Sequence, residues 1–234
     1  MSIDNKNQND IINSQLVNSY DIEYIFNDNP INRTKTKPKE EDKSTLLKVL
    51  RNKISKVNNC ELKNNANKLV FNDGNFESSI MIVGEGPGQK EDEQGKPFVG
   101  DAGILLNKML SAIKIDRQSV YITNVVNYRP PNNRKPEPSE IIRYSNFLKE
   151  HISIIDPKIL ILMGSTAMES LFGSKIKISK ERGAWKEIII NQKTYLTMIT
   201  FHPAYLLRQA DQKKYSWIDL KEIRKKIDKL DLKI

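Results

Sequence analysis

Cysteine and histidine are scarce in this chain of 234 residues, which contains one cysteine, Cys60, and two histidines, His151 and His202. A single cysteine cannot form a disulfide within the chain. These side chains also cannot supply the four thiolates of an iron–sulfur site or the two cysteines and two histidines of a zinc site. The sequence therefore excludes disulfide scaffolds and cysteine-ligated metal centres built within one chain.

Long hydrophobic runs are also missing. No stretch approaches the roughly 18 apolar residues that cross a bilayer. The amino-terminal stretch MSIDNKNQNDIINSQ lacks the basic-then-apolar pattern of a signal peptide. We expect a cytoplasmic protein with no membrane partner.

Positive charge is in excess, with 38 Lys and Arg against 29 Asp and Glu and a net charge of +9. An excess of this size is compatible with a polyanionic partner such as nucleic acid. Charge alone leaves a second interpretation open, in which the lysines only solvate the surface.

Composition divides the chain near residue 43. Residues 1–43 are rich in Asn, Asp and Lys and poor in large apolar side chains, which predicts a largely flexible N-terminal extension and linker. Periodic apolar patterns begin at Ser44, so residues 44–234 are predicted to form a single domain.

Apolar runs separated by helical patterns indicate alternating strands and helices. Continuous apolar strands are typical of parallel sheets with both faces covered, and they occur here at 80–83, 120–126 and 159–163. In such α/β folds, ligands bind at the carboxyl ends of the strands. That rule nominates three loops, at 84–100, 124–134 and 200–208.

Each nominated loop contains a side chain suited to recognising a base or an anion. Phe98 lies outside any periodic segment, which suits a stacking platform better than a core residue. The amide of Asn124 presents a donor and an acceptor side by side, as the edge of uracil or adenine requires. His202, at a strand end, suits proton or anion chemistry. Structural alternatives stay open for all three: a tight glycine-rich turn, an amide bonded to backbone, and an exposed or structural imidazole.

Taken in order, six motifs resemble the family 4 uracil-DNA glycosylases. They are GEGPG at 84–88, GKPFVGDAG at 95–103, YITNVVNYRPPNNRKPEP at 121–138, MGSTAMESLFG at 163–173, RG at 182–183 and FHPAYLLR at 201–208. The likeness runs from about residue 60 to residue 208, and the ordered set is far more specific than any one motif. A weaker likeness, over 20–33, is to an N-terminal extension of some alphaproteobacterial members.

The resemblance implies a fold and an activity. The family fold is a three-layer α/β/α sandwich around a short, mostly parallel, four-stranded sheet. The family comprises monofunctional DNA-repair hydrolases, which flip uracil out of DNA, hydrolyse its N-glycosidic bond and leave an abasic site. The implied partner is DNA that contains uracil, and we expect the protein to act as a monomer.

The family's uracil pocket can be carried over residue by residue. Phe98 would stack on the base, and Asn124 would bond the N3/O4 edge that distinguishes uracil from cytosine. Gly86 and Glu85 would line the pocket. His202 would donate to uracil O2 as negative charge develops on the leaving base.

The resemblance also implies a DNA-binding rim and a choice of carboxylates. Ser165 and Arg208 would hold phosphates, and Leu206 or Leu207 would fill the gap left by the flipped base. The water activator stays open between Glu85 and Glu91, because the resemblance supports either and a dissociative reaction needs little activation. These residues follow from the motifs and not from spacing or composition.

The chain departs from the family at a four-iron cluster that four cysteines hold, remote from the uracil pocket. The corresponding positions here are Val57, Cys60, Tyr128 and Tyr144. One thiolate cannot hold such a cluster, and tyrosine is not a soft ligand. We therefore predict no cluster and no other cofactor, with these side chains filling the space.

Two other functions remain in play. A catalytically silent DNA-binding relative would recognise lesions without excising the base. An unrelated α/β domain would bind nucleotide phosphates through GEGPG, although Pro87 removes one backbone N–H there and the loop has no Walker lysine.

Overall fold

The computed structural model describes residues 42–173 and 176–233. The strands are β1 (Asp73–Gly74), β2 (Ile80–Gly84), β3 (Tyr121–Asn124), β4 (Ile159–Met163), β5 (Trp185–Ile190) and β6 (Lys193–Thr200). The helices are α1 (Lys43–Ser55), α2 (Glu61–Asn65), α3 (Gln89–Gln94), α4 (Asp101–Ala112), α5 (Pro138–Ile155), α6 (Ser165–Phe172), α7 (Ile178–Glu181), α8 (Pro203–Arg208) and α9 (Lys213–Lys229).

The strands form one sheet in the order β1-β3-β2-β4-β6-β5. The four central strands, β3, β2, β4 and β6, run parallel, whereas β1 and β5 lie antiparallel at the edges. The predicted α/β class and mostly parallel sheet are confirmed, but the predicted count of four strands is wrong, because the described residues form six. β1 has only two residues, too few for a periodic signal, and β5 is a half-exposed edge strand without a continuous buried run.

Two hydrophobic cores lie on opposite faces of the sheet, because side chains alternate along each strand. In β2, Met81 and Val83 face one core, and Ile80 and Ile82 face the other. Helices α1, α5 and α6 cover the first face, and α4, α8 and α9 cover the second. The predicted three-layer α/β/α sandwich is thereby confirmed.

The carboxyl ends of the parallel strands meet at one edge of the sheet. The register pairs Gly84 with Asn124 and Met163 with Thr200, so the following loops start side by side. Gly164, after β4, donates its N–H to the Thr200 carbonyl at 2.9 Å. The three nominated loops converge here together with the loop after β4.

The predicted N-terminal extension lies outside the described residues except for Asp42 and Lys43, and so does the likeness over 20–33. Helix α1 begins at Lys43, one residue before the predicted domain boundary. The described residues belong to one compact unit, Glu41–Ile234, and the division of the chain at residue 43 stays a prediction. No helix in the described ranges is long and apolar enough to cross a membrane.

Candidate active site

A cavity of about 580 Å³ opens at the carboxyl edge of the sheet, a volume typical of ligand pockets. Eight of the ten predicted site residues line it: Glu85, Gly86, Glu91, Phe98, Asn124, Ser165, His202 and Arg208. The two leucines do not. Leu206 lies on the buried face of α8 and belongs to the core, whereas Leu207 is 47% exposed.

Phe98 and His202 lie ring against ring in the cavity. Their ring centroids are 5.4 Å apart, and the ring planes differ by 27°. Phe98 has a φ of +54°, which is uncommon for an aromatic residue and sets its ring apart from the regular elements. A Cβ on Gly84 would stand 2.5 Å from the ring atom Cζ of Phe98. Glycine at 84 therefore makes room for the ring.

Asn124 ends β3 with a side chain that is 3% exposed. It stands opposite Gly84 in the register, so its amide lies at the floor of the cavity. Within residues 42–173 and 176–233, no hydrogen bond joins this amide to the backbone, in contrast to the structural alternative. A buried amide without a protein partner is costly, and it is available to a ligand.

His202 caps the amino end of α8. Its Nδ1 accepts a hydrogen bond from the Ala204 N–H at 3.1 Å. A nitrogen that accepts carries no proton, so the neutral ring bears its proton on Nε2. Burial, assisted by the positive charge of Arg208, lowers the pKa of His202 to about 4. The imidazole is consequently neutral at physiological pH, with Nε2–H as a donor.

The two candidate carboxylates differ in their partners. Oε2 of Glu85 accepts a hydrogen bond from Thr166 Oγ1 at 2.5 Å. Glu91 is 7% exposed and accepts three backbone N–H bonds, from Gly88 at 3.1 Å, Val99 at 2.9 Å and Gly100 at 2.7 Å. Glu91 thus ties together the two ends of the glycine-rich loop. Thr166 had no predicted role, although it lies in one of the matched motifs.

Two arginines line the cavity and differ in their ion pairs. Arg134 forms a salt bridge with Glu140 at 2.7 Å, and this hydrogen-bonded carboxylate raises the pKa of the guanidinium. Arg208 is exposed, and no salt bridge joins it to another described residue. Arg208 is therefore the cavity arginine that is available to a phosphate.

The four positions that correspond to cluster cysteines lie in one hydrophobic core, where Val57 packs against buried Cys60, Tyr128 and Tyr144. Cys60 Sγ lies 3.4 Å from the Tyr144 hydroxyl. Burial is the main cause that raises the pKa of both tyrosines. One thiol among apolar and phenolic side chains does not fit a four-iron cluster, and no other group of metal-ligating side chains occurs among the described residues.

The fold and the cavity together define a class of protein: an α/β sandwich that receives a planar, hydrogen-bonding ring at the carboxyl edge of its parallel strands. Residues 71–221 match the family model described as the uracil DNA glycosylase superfamily. The chain belongs to this superfamily, and within it to the type-4 group, as the following relatives show.

The type-4 uracil-DNA glycosylase of Thermotoga maritima is 42% identical over 164 residues, which cover 70% of this chain and 84% of that protein. The type-4 enzyme of Sulfurisphaera tokodaii is 38% identical over 187 residues, covering 76% and 83%. A type-5 uracil-DNA glycosylase of Pyrobaculum aerophilum is only 26% identical over 149 residues, covering 57% and 64%. The predicted family resemblance is confirmed.

Proposed function

We propose that this chain is a DNA-repair enzyme that hydrolyses the N-glycosidic bond of uracil in DNA and leaves an abasic site. The observation that carries the proposal is the meeting of Phe98, Asn124 and His202 in one cavity. Membership of the superfamily supports the same reaction. The DNA must first deliver its base to the cavity by flipping, because the bond is unreachable within the stack.

Three side chains contact the base, and each has a different role. Phe98 stacks on its face, and the amide of Asn124 bonds its N3/O4 edge. Cytosine presents the opposite donor and acceptor pattern at that edge, so an amide that offers its oxygen to N3–H and its NH₂ group to O4 selects uracil. Nε2–H of His202 donates to O2 as the glycosidic bond breaks and negative charge collects on the leaving base. A neutral, preorganised donor of this kind stabilises the transition state without a proton transfer.

Glu85 is the better candidate to face the sugar and the attacking water. Among the described residues, Glu85 is bonded at Oε2 by Thr166, which fixes the carboxylate and leaves Oε1 available. The Glu91 carboxylate already accepts hydrogen bonds from the N–H groups of Gly88, Val99 and Gly100. We therefore assign Glu91 to holding the loop and Glu85 to stabilising the positive charge that develops on the sugar.

The rim of the cavity supplies the contacts to the DNA backbone. Arg208 pairs with no carboxylate among the described residues, and Ser165, at the start of α6, also lines the cavity. Leu207 is exposed and can enter the base stack, whereas Leu206 is 1% exposed and belongs to the core. Of the two predicted wedge residues, we propose Leu207.

We propose that the protein binds no iron–sulfur cluster, since Val57, Tyr128 and Tyr144 supply no thiolate beside Cys60. Action as a monomer and a cytoplasmic location stay predictions.

Excision of uracil from a labelled oligonucleotide tests the proposal. The wild-type chain is expected to release uracil and leave an alkali-labile abasic site, and the corresponding cytosine strand should stay intact, because its edge does not match the Asn124 amide. The variants His202→Ala and Asn124→Ala should each lose at least about a hundredfold in rate. Binding of the uracil strand without excision by the wild-type chain would instead identify a catalytically silent relative.

A further inference from the structure

A buried, ion-paired network lies behind His202. Arg182 donates from Nε to Asp219 Oδ2 at 3.0 Å and from Nη2 to the other carboxylate oxygen. Thr200 Oγ1 donates to Asp219 Oδ2 at 2.7 Å. Asp219 and Thr200 are both fully buried. The network joins α9 to the carboxyl end of β6.

The network contacts both residues that precede His202 in the chain. Thr200 is fixed twice, because its side chain bonds Asp219 and its carbonyl accepts the N–H of Gly164. The Arg182 guanidinium lies 5.5 Å from the ring centroid of Phe201. The two residues that precede His202 are therefore held in place by these contacts.

The residue next to Arg182 makes the close approach of Asp219 possible. Gly183 has a φ of +79° and donates its N–H to the Ile199 carbonyl at 2.9 Å. A Cβ at this position would stand 2.6 Å from Asp219 Oδ1. The Arg182–Gly183 pair thus serves one purpose, in which the first residue binds the carboxylate and the second makes room for it.

Stability alone does not explain a charged network in this place. Burial raises the pKa of Asp219, while the bonds from Thr200 and Arg182 act in the opposite direction. Buried ion pairs add little net stability compared with apolar packing of the same volume. A network that satisfies every partner does, however, hold its members in one geometry.

We propose that Thr200, Asp219 and Arg182 are positioning residues that fix where His202 stands relative to the bound base. The inference rests on the proposed excision reaction. A donor that stabilises charge must lie within hydrogen-bond reach of the atom where that charge collects. A misplacement of about 1 Å costs on the order of a hundredfold in rate, so the network acts on catalysis by fixing the position of His202.

The variant Thr200→Val tests the proposal, since it removes the bond to Asp219 and keeps the shape of the side chain. Thr197→Val is a matched control: Thr197 is equally buried on the same strand, but its hydroxyl bonds only the Tyr195 carbonyl. We expect Thr200→Val to lower the single-turnover excision rate at saturating enzyme at least about tenfold. Affinity for the uracil strand should stay unchanged. Thr200→Ser should restore the rate, and Thr197→Val should leave it at the wild-type value.

A second measurement follows the position of His202 without substrate. Its ring signal in the NMR spectrum should shift in Thr200→Val and stay in place in Thr197→Val. If Thr200→Val does not fold, Arg182→Lys provides the same test, because lysine keeps the charge and cannot make both bonds to Asp219. Equal rates for Thr200→Val and wild type, or an equal loss in Thr197→Val, would overturn the inference. Absence of excision by the wild-type chain would instead overturn the proposed function.

Discussion

His202 is kept neutral by its surroundings, and this has a consequence for pH. The folded pKa is about 4, whereas an unperturbed histidine titrates near about 6.5. The unfolded chain therefore binds the proton first as pH falls. The stability that depends on neutral His202 is fully present above the pKa of this histidine in the unfolded chain. It is lost as pH falls toward the pKa in the folded chain.

We expect His202 to stay uncharged, and its contribution to excision to stay constant, from about pH 8 down to about pH 5.5. Because the chain has only two histidines, an NMR titration resolves both rings directly. His151 is fully buried, and its Nε2 lies 2.5 Å from the Tyr121 hydroxyl oxygen. Burial lowers the pKa of His151 to about 3. Neither ring should titrate near neutral pH, and His151→Gln assigns the signals. A His202 midpoint close to 6.5 would contradict this account of the site.

Gly84 is the residue on which the position of Phe98 depends. In Gly84→Ala the new methyl would meet both the Phe98 ring and Asn124 Oδ1 at 2.5 Å. The ring and the amide must then move, so we expect a loss of excision of at least about a hundredfold and a stability cost of about 1–3 kcal/mol from overpacking. Single-turnover rates and thermal unfolding measure the two effects.

Gly173→Ala is the control for this variant. Gly173 has a φ of +88°, so alanine there is strained, but among the described residues no atom lies within 4 Å of the new Cβ. It should lose stability and keep full excision. Wild-type excision by Gly84→Ala would show that the ring does not need its present place.

Single residues of the site could be predicted where a local pattern marks them. Phe98, Asn124 and His202 stand at strand ends or in glycine-rich loops, where a ring, an amide or an imidazole is conspicuous. Their supporting partners could not be predicted in the same way. Glu85 and Thr166 are 81 residues apart, and Arg182 and Asp219 are 37 apart. Such contacts depend on how the sheet is ordered, which no local pattern encodes.

At the scale of elements, the glycine-rich loop and α3 are organised by one buried carboxylate. Glu91 lies in the first turn of α3 and bonds the loop on both sides, at Gly88 and at Val99–Gly100. The loop also carries Phe98, so its shape decides where the ring stands. Glu91 therefore acts on the shape of the loop, and a role in the reaction is left to Glu85.

Glu91→Gln and Glu85→Gln should therefore fail in different ways. A glutamine at 91 keeps one acceptor oxygen and presents an NH₂ group to backbone donors, so we expect a stability loss of about 2–3 kcal/mol. Glu85→Gln should leave the thermal midpoint nearly unchanged and lower the excision rate. Thermal unfolding and single-turnover excision, measured on both variants, distinguish the roles. Full stability with lost excision in Glu91→Gln would make Glu91 the reacting carboxylate.

The central strands were predictable, whereas the total number of strands was not. Continuous apolar runs mark β2, β3 and β4, and their parallel order placed the site at one edge of the sheet. β1 and β5 pair at the margins, where partial exposure dilutes the apolar signal and two residues suffice for a strand. The consequence was a correct layer architecture with too few strands.

For the whole molecule, the notable feature is a hydrophobic core at the four positions that correspond to cluster cysteines in the family. Cys60 and Tyr144 bond each other in a cluster that includes residues of α1, α5 and α6, so this region is held by ordinary packing. We expect a core of this kind to fold without iron. Its single thiol is buried, which limits its reaction with oxidants.

We expect anaerobically purified protein to contain no stoichiometric iron and to show no absorbance in the visible range. Chelators should leave the thermal midpoint unchanged.

Cys60→Ala removes one sulfur atom from the core and leaves the Tyr144 hydroxyl without that partner, so stability should fall by about 1–3 kcal/mol. Excision should be preserved at temperatures where the variant is folded, because Cys60 does not line the cavity. Tyr144→Phe, which removes only the hydroxyl, is the matched variant and should cost less, since the weakly polar thiol tolerates an apolar neighbour. Four irons per chain would show that this core still holds a cluster, and a loss of excision in Cys60→Ala without unfolding would show that Cys60 supports the active site.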